Sequence, residues 1–308
     1  MIWGLIVLIA IFAIPVAIEV WRPQMDADAR RGAEGHFAQL SQGVTCYDWL
    51  GPVRGPVAVC VHGLTTPSFV WRGLARGLAL MGYRVLIYDL YGRGYSDRPE
   101  GAQTRAFFLR QLEDLLEDQE VGGDITLMGY SMGGAIATCF AAAHPDRIRQ
   151  LVLIAPAGMG LKAGWLTRVI AGVPVLGDWL MLAGFSGSHK RATERDRDLP
   201  TSVEGIVDLQ QRELQFKGYI PAVLSSLRGI LSESLEAEHK ALAKRGVPVL
   251  AVWGRMDDVI AERAPGQLAE WNRHARQEVV ETAGHGLVYT HTEFVLAALR
   301  ETLRDGLS

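Results

Sequence analysis

Short, continuous apolar runs recur along this chain, and longer segments with helical periodicity lie between them. Runs of four or five apolar residues favour strands that are buried on both faces of a parallel sheet. The predicted strands are 57–61, 85–88, 125–128, 151–154 and 249–253, and the predicted helices between them are 71–81, 107–120 and 132–144. This alternation predicts a three-layer α/β fold, in which helices flank a mostly parallel sheet.

One interval breaks the alternation, because the distance from Ile154 to Val247 is too long for a simple loop. Its helical patterns lie at 165–173, 179–185, 203–216 and 219–231. We therefore predict an inserted helical cap over residues 158–245, above the carboxyl ends of the strands, where ligands bind in open α/β sheets. The predicted α/β core takes residues 37–157 and 246–308.

The predicted cap changes in composition along its length. Residues 165–185 are strongly apolar, which suits either an acyl-binding lid or ordinary packing of the cap on the core. Residues 188–198 carry charges of both signs, and this pattern predicts a solvated loop.

The N-terminal segment is the most apolar part of the chain. Residues 2–18 are almost entirely apolar, and Trp3 and Trp21 flank them, as tryptophans do at membrane interfaces. At about 1.5 Å per residue, the run is close to the lower limit for a bilayer span. No basic residue precedes it, which argues against a cleaved signal peptide. We predict a transmembrane anchor over residues 1–21 and a short tether over 22–36.

Charge and cysteine content bear on location and partners. Arg22, Arg30 and Arg31 follow the apolar run, which favours a single-pass protein whose main domain lies on the cytoplasmic face. Three cysteines without regular spacing predict no disulfide framework. A net charge of −3 and the lack of a basic run predict no nucleic-acid partner.

The segment Gly129–Ala135 contains the pattern G-x-S-x-G. The apolar run 125–128 precedes it and the alanine-rich run 135–143 follows it, so a strand, a sharp turn and a helix are expected in that order. This context predicts a nucleophile elbow, in which a strained turn lifts the Ser131 hydroxyl above the sheet. The flanking glycines allow the strand and the helix to approach closely.

A serine nucleophile needs a base and a carboxylate that orients the base. Asp257 follows the predicted strand 249–253, and His285 lies on a glycine-flanked loop after residues 277–280. The order serine, aspartate, histidine is the one expected after such an elbow. We predict Ser131, Asp257 and His285 as the catalytic residues.

Two alternatives remain open for these assignments. Asp258 could replace its neighbour Asp257 as the acid, whereas residues 156–158 after the preceding strand carry no carboxylate. Ser131 could also be a structural elbow in an inactive protein. No Cys/His/Asp spacing indicates a metal, and no G-x-G-x-x-G follows a strand, so we predict neither a metal nor a cofactor.

Further motifs between residues 37 and 303 resemble those of the α/β-hydrolase superfamily, in particular its capped esterase, lipase and monoacylglycerol-lipase-like group. They are H-G-L at 62–64, D-L-Y-G-R-G-Y-S at 89–96, W-G-R-M-D at 253–257 and G-H at 284–285. The resemblance implies that the backbone amides of Leu64 and Met132 form an oxyanion hole, supported by His62 and Gly63. Serine at the elbow argues against the haloalkane dehalogenase and epoxide hydrolase branches, which carry aspartate there.

The resemblance implies a hydrolase of carboxylic esters that acts through an acyl-enzyme on Ser131. The apolar cap and the predicted anchor favour lipid-like esters with a medium chain or a monoacylglycerol-like structure. Hydrolysis of carbon–carbon bonds by the same residues, or ligand binding without turnover, are the alternatives.

Overall fold

An eight-stranded sheet forms the centre of the computed structural model, which describes residues 2–304. The strands are β1 His36–Leu40, β2 Gly43–Leu50, β3 Val57–Val61, β4 Arg84–Tyr88, β5 Ile125–Tyr130, β6 Ile148–Ile154, β7 Val249–Gly254 and β8 Arg276–Val280. They lie in the order β1-β2-β4-β3-β5-β6-β7-β8. β2 is antiparallel to β1 and β4, and all other neighbours are parallel. The predicted α/β fold with a mostly parallel sheet is confirmed.

The degree of burial explains which strands could be predicted from the apolar runs in the sequence. β3 lies between β4 and β5, and its residues are apolar because helices cover both faces of the sheet there. β1 was not predicted. It is an edge strand that buries only Ala38 and Leu40, so its apolar signal is weak.

Twelve α-helices connect or flank the strands within residues 2–304. They are α1 Ile2–Trp21, α2 Arg72–Leu80, α3 Arg105–Asp118, α4 Met132–Ala143, α5 Trp165–Gly172, α6 Leu176–Glu194, α7 Ile206–Arg212, α8 Tyr219–Arg228, α9 Glu236–Arg245, α10 Ala264–Trp271, α11 Leu287–Thr290 and α12 Thr292–Arg304. Helices α5–α9 all lie between β6 and β7, in the interval predicted to be a cap. The exact boundaries of that cap stay a prediction.

The charged segment 188–198 differs from its predicted form, because α6 continues through it as far as Glu194. One face of this part of the helix is buried. His189 packs face to face with Phe185 at a ring-centroid distance of 5.3 Å, and Thr193 accepts a hydrogen bond from the side chain of Gln211 at 3.1 Å. His189 and Thr193 are four residues apart, so the buried face has helical spacing that the surrounding charges obscured.

The inserted helices pack on the loops that follow β3 and β4. A small apolar cluster forms between α6 and α8, and Leu64, in the loop after β3, contacts both this cluster and the main core. The hydroxyl of Tyr219 on α8 donates a hydrogen bond to the Thr65 carbonyl oxygen at 3.3 Å. The inserted segment therefore lies over the strand ends that also carry the predicted site.

A buried carboxylate joins the inserted segment to the core. Glu213, just after α7, accepts a hydrogen bond from the Gly94 amide at 2.8 Å and pairs with Arg98 at 3.8 Å. Burial raises the pKa of Glu213 from 4.5 to about 7, although the nearby Arg98 and the Gly94 hydrogen bond oppose the rise. Between pH 4.5 and about pH 7, Glu213 is protonated in the folded protein but ionised in the unfolded chain. The free energy of unfolding therefore falls as the pH rises through this range.

We expect Glu213→Gln to remove this pH dependence. The free energy of unfolding of the variant minus that of the wild type should rise by roughly 2 kcal/mol between about pH 5 and about pH 7.5. Urea unfolding of both proteins across that range measures the difference. A difference that does not change with pH would contradict the raised pKa.

The predicted transmembrane anchor is wrong. The C-terminal half of α1 packs on α6, where the rings of Phe12 and Trp179 lie 5.3 Å apart. Near the end of α1, Glu19 is buried, accepts a hydrogen bond from the amide of Gly218, just before α8, at 2.6 Å and pairs with Arg22. Within residues 2–304, no helix is long and apolar enough to cross a membrane. The predicted membrane partner, location and orientation rested on this anchor and are wrong with it. The prediction failed because apolar composition alone does not distinguish a helix that docks on protein from one that spans a membrane.

Two ends of the predicted domains lie outside the described residues, namely residue 1 of the predicted anchor and residues 305–308 of the predicted core. The segment predicted as a tether contacts the core. The Arg30 side chain in this segment donates to the Tyr95 carbonyl oxygen at 2.9 Å and pairs with Asp97.

Candidate active site

Ser131 occupies the turn between β5 and α4 in a conformation that few residues adopt, with φ 54° and ψ −118°. The glycines around it are required by close backbone approach. A Cβ atom on Gly133 would lie 2.0 Å from the Val61 carbonyl oxygen, and one on Gly129 would lie 2.4 Å from the Gly133 carbonyl oxygen. The turn is held on the sheet because the Ser131 amide donates to the Ile154 carbonyl oxygen at 3.0 Å. The predicted elbow is therefore present as a strained, glycine-dependent turn.

A continuous chain of hydrogen bonds links the three residues that the sequence predicts as catalytic. His285 Nε2 lies 2.9 Å from Ser131 Oγ, and His285 Nδ1 lies 2.8 Å from Asp257 Oδ2. Asp257 follows β7, and His285 lies in the loop between β8 and α11. Ser131 is buried except for 8% of its surface. The loops at the ends of three parallel strands thus bring together side chains that are far apart in sequence.

The Asp257 carboxylate is fixed on both of its oxygens. Oδ2 faces His285, while Oδ1 accepts hydrogen bonds from the amides of Val259 at 2.7 Å and Ile260 at 2.8 Å. Burial raises the pKa of Asp257, but hydrogen bonding to His285 and to these two amides outweighs it, and the net shift is downward. The carboxylate is therefore held in the charged form that can orient His285. Asp258, the alternative acid, is exposed to solvent.

His62 fixes the loop between β3 and α2. Its Nε2 accepts a hydrogen bond from the Leu90 amide at 2.8 Å, so Nδ1 carries the proton and donates to the Gly63 carbonyl oxygen at 2.7 Å. Burial lowers the pKa of His62 to about 3, which keeps the ring neutral. In a trans peptide the C=O and N–H bonds point in opposite directions, so this contact turns the Leu64 N–H away from His62.

The two predicted oxyanion donors lie beside Ser131. A Cβ atom built on Gly63 would lie 3.3 Å from Ser131 Cβ, which places the Gly63–Leu64 peptide next to the serine. Met132 is the first residue of α4, and the first amides of a helix have no partner within the helix. Both peptides therefore lie next to Ser131, and the positive end of the α4 dipole is at the same place.

Three side chains at the site were not predicted. Tyr130 packs against the His285 ring at a centroid distance of 5.4 Å and donates to the His285 carbonyl oxygen at 3.2 Å. Lys162 Nζ donates to the Asp257 carbonyl oxygen at 2.7 Å, and the buried Arg93 donates to the Leu64 carbonyl oxygen at 3.1 Å. Lys162 precedes Asp257 by 95 residues, so no local pattern could have revealed their contact.

No cluster of three or more His, Cys, Asp or Glu side chains that could hold a metal ion occurs in the part of the chain that the structure describes. The hydrogen-bonded serine, histidine and aspartate can instead supply a nucleophile and a general base from the chain itself.

Known proteins resemble this chain in both sequence and fold. A family model described as alpha/beta hydrolase fold matches residues 56–292. Lipase 1 of Psychrobacter immobilis is 27% identical over 239 residues, which are 76% of this chain and 73% of the lipase. The 2-hydroxymuconate semialdehyde hydrolase of a Pseudomonas species is 27% identical over 236 residues, 72% of this chain and 76% of that enzyme.

Among solved structures, the enol-lactonase from Burkholderia xenovorans shares the fold with a TM-score of 0.71 at 19% identity, over 87% of this chain and 100% of the lactonase. The family model covers well over half of the chain and includes β3 to β8. The protein therefore belongs to the α/β-hydrolase fold family.

Proposed function

We propose that this protein is a serine hydrolase that cleaves carboxylic esters through an acyl-enzyme on Ser131. The observation that carries the proposal is the chain of hydrogen bonds from Asp257 through His285 to Ser131 Oγ, at the N-terminus of α4. The similarity to a lipase supports it.

In this mechanism Ser131 Oγ attacks the ester carbonyl carbon while its proton passes to His285 Nε2. Asp257 stabilises the imidazolium that forms. The carbonyl oxygen becomes an oxyanion and accepts hydrogen bonds from the amides of Leu64 and Met132, each contributing about 3 kcal/mol to the transition state. The carbon–oxygen bond then breaks, the alcohol leaves with the proton from His285, and water repeats the sequence to release the acid.

An apolar cavity next to the acid loop supports lipid-like substrates. A cavity of about 380 Å³ lies between α5, the end of α8 and α10. Much of its lining is aliphatic or aromatic, including Leu161, Leu227, Leu231 and Trp271. Leu161 pairs with Ile260, whose amide donates to Asp257, so the cavity adjoins the loop that carries the candidate acid. A medium-length acyl chain is the substrate group that suits this lining.

Carbon–carbon bond hydrolysis is the second candidate. Arg168 and Arg263 line the same cavity and could bind the carboxylate of an acidic diketone-like substrate. The similarity to 2-hydroxymuconate semialdehyde hydrolase supports this alternative. The surface of the lining is mainly apolar, and this favours the ester.

We expect kcat/KM for p-nitrophenyl esters to rise with acyl-chain length from acetate to the medium chains. Each buried methylene is worth up to about 0.8 kcal/mol, or roughly fourfold per carbon, until the cavity is full. The measurement is initial-rate hydrolysis of a series from acetate to palmitate, with Ser131→Ala as the background.

A matched variant tests where the chain binds. Leu231→Ser, which makes the cavity wall polar, should flatten the dependence on chain length while leaving acetate hydrolysis unchanged within about twofold. A maximum at acetate in the wild type would contradict the acyl-chain proposal but keep the esterase. Absence of turnover above the Ser131→Ala background, with turnover of an acidic diketone, would favour the carbon–carbon alternative.

A further inference from the structure

Arg93 is a fully buried cation whose five N–H groups all meet neutral acceptors. Nε donates to the Leu64 carbonyl oxygen at 3.1 Å, and Nη2 donates to Ser226 Oγ at 2.7 Å and to the Ala222 carbonyl oxygen at 3.2 Å. Nη1 donates to the Tyr91 carbonyl oxygen at 2.8 Å and to Gln103 Oε1. No carboxylate forms a salt bridge with Arg93 in the part of the chain described here.

These bonds join three separate parts of the fold. Leu64 belongs to the loop after β3, Tyr91 to the loop after β4, and Ala222 and Ser226 to α8 of the inserted segment. The planar guanidinium presents its donors in fixed directions, so the three parts must keep one relative position to satisfy it. A buried charge is costly unless each donor is matched, which makes this geometry strict.

The contact with Leu64 bears on the orientation of its amide. His62 holds the carbonyl oxygen of Gly63, and therefore the peptide plane on the N-terminal side of the Leu64 Cα atom. Arg93 holds the carbonyl oxygen of Leu64, and therefore the peptide plane on the C-terminal side. With both planes fixed, the dihedral angles of Leu64 and the direction of its N–H have little freedom.

We propose that Arg93 is a positioning residue that couples helix α8 to the oxyanion loop, so that the Leu64 amide is aimed correctly only when α8 is docked. The inference rests on the proposed function, in which the Leu64 amide stabilises an oxyanion. Arg93 is fully buried and hydrogen bonds to Leu64 but not to Ser131, so it acts through Leu64.

Arg98 offers a matched control in the same loop. It is an almost completely buried arginine that donates to the carbonyl oxygens of Gly94 and Ser96 and pairs with Glu213, but it makes no hydrogen bond to residues 62–64. Lysine at either position keeps the charge and loses the planar fork. A purely structural role predicts similar consequences for Arg93→Lys and Arg98→Lys, whereas positioning of the oxyanion loop predicts different ones.

The experiment compares binding of two inhibitors to each variant. An alkyl trifluoromethyl ketone forms an ionised hemiketal with an active serine and so reports on the oxyanion donors, while the corresponding secondary alcohol reports on ground-state binding alone. For Arg93→Lys we expect Ki for the ketone to rise and kcat to fall by about tenfold, part of the 10²–10³-fold effect of losing a donor. KM and the Ki for the alcohol should change by less than about twofold. Arg98→Lys should lower the melting temperature and leave the ratio of the two Ki values unchanged.

Ser226→Ala is the second variant. It removes the Ser226 hydroxyl, which accepts from Arg93 Nη2 and donates to Gln103 Oε1 on the α8 side, but it keeps the Arg93 charge and should fold even if Arg93→Lys does not. It should weaken ketone binding by roughly threefold, with unchanged alcohol binding. A ratio of the two Ki values that stays at the wild-type level in both Arg93→Lys and Ser226→Ala would overturn the inference. The ketone reports on the serine and its donors whatever the natural substrate is, so a failure of ester turnover in the wild type is a separate result.

Discussion

Replacing Ser131 by alanine is expected to lower kcat for ester hydrolysis by about 10⁴-fold or more, because no other group can form the acyl-enzyme. The substitution removes only Oγ and its hydrogen bond to His285 Nε2. The amides of Leu64 and Met132 remain and account for the small residual rate. Initial rates with a p-nitrophenyl ester and labelling by a fluorophosphonate probe both measure the loss.

A second substitution separates the loss of the nucleophile from damage to the fold. Ser131 has a positive φ that glycine adopts without strain, so Ser131→Gly should be equally inactive but more stable than Ser131→Ala by about 1 kcal/mol. Thermal unfolding of the two variants tests this order. Residual activity above a few percent in both would remove Ser131 as the nucleophile, and lack of probe labelling in the wild type would favour a ligand-binding role.

The secondary structure could be predicted where strands are buried on both faces, because such strands consist almost entirely of apolar residues. β3 was predicted with its observed limits, because a central parallel strand is apolar at nearly every position. The edge strand β1 and the second half of α6 were not, because each buries only a few residues among polar ones. The fate of α1 could not be predicted either, since the apolar run looks the same whether it meets lipid or another helix.

The site was predictable to the extent that its contacts follow local motifs. Ser131, Asp257 and His285 each lie in a short pattern at a strand end, and parallel strands bring such ends to one edge. The contacts of Arg93 with α8 and of Lys162 with Asp257 join distant segments, and no spacing in the sequence encodes them. Arg93 stood within the recognised 89–96 motif, but its partners became visible only in the folded chain.

Asp257→Asn should lower kcat by about 10⁴-fold, nearly as much as loss of the nucleophile. The reason lies in the two amides that donate to Oδ1, those of Val259 and Ile260. An asparagine must keep its carbonyl oxygen at that position, so its NH₂ group is forced to face His285 Nδ1. Nδ1 then has to accept a hydrogen bond, and the imidazole proton moves to Nε2. A ring in that tautomer cannot take the proton from Ser131, although the overall geometry is preserved.

Asp258→Asn is the matched control, because it makes the same chemical change at the next residue, which is exposed. We expect it to alter kcat by less than about twofold, since it touches no member of the hydrogen-bonded chain. Rates of ester hydrolysis and of fluorophosphonate labelling should fall together for Asp257→Asn only, and thermal unfolding should confirm that both variants are folded. Equal losses in the two variants would contradict Asp257 as the acid. A folded Asp257→Asn variant with near-normal rates would show that His285 takes the serine proton without a fixed tautomer.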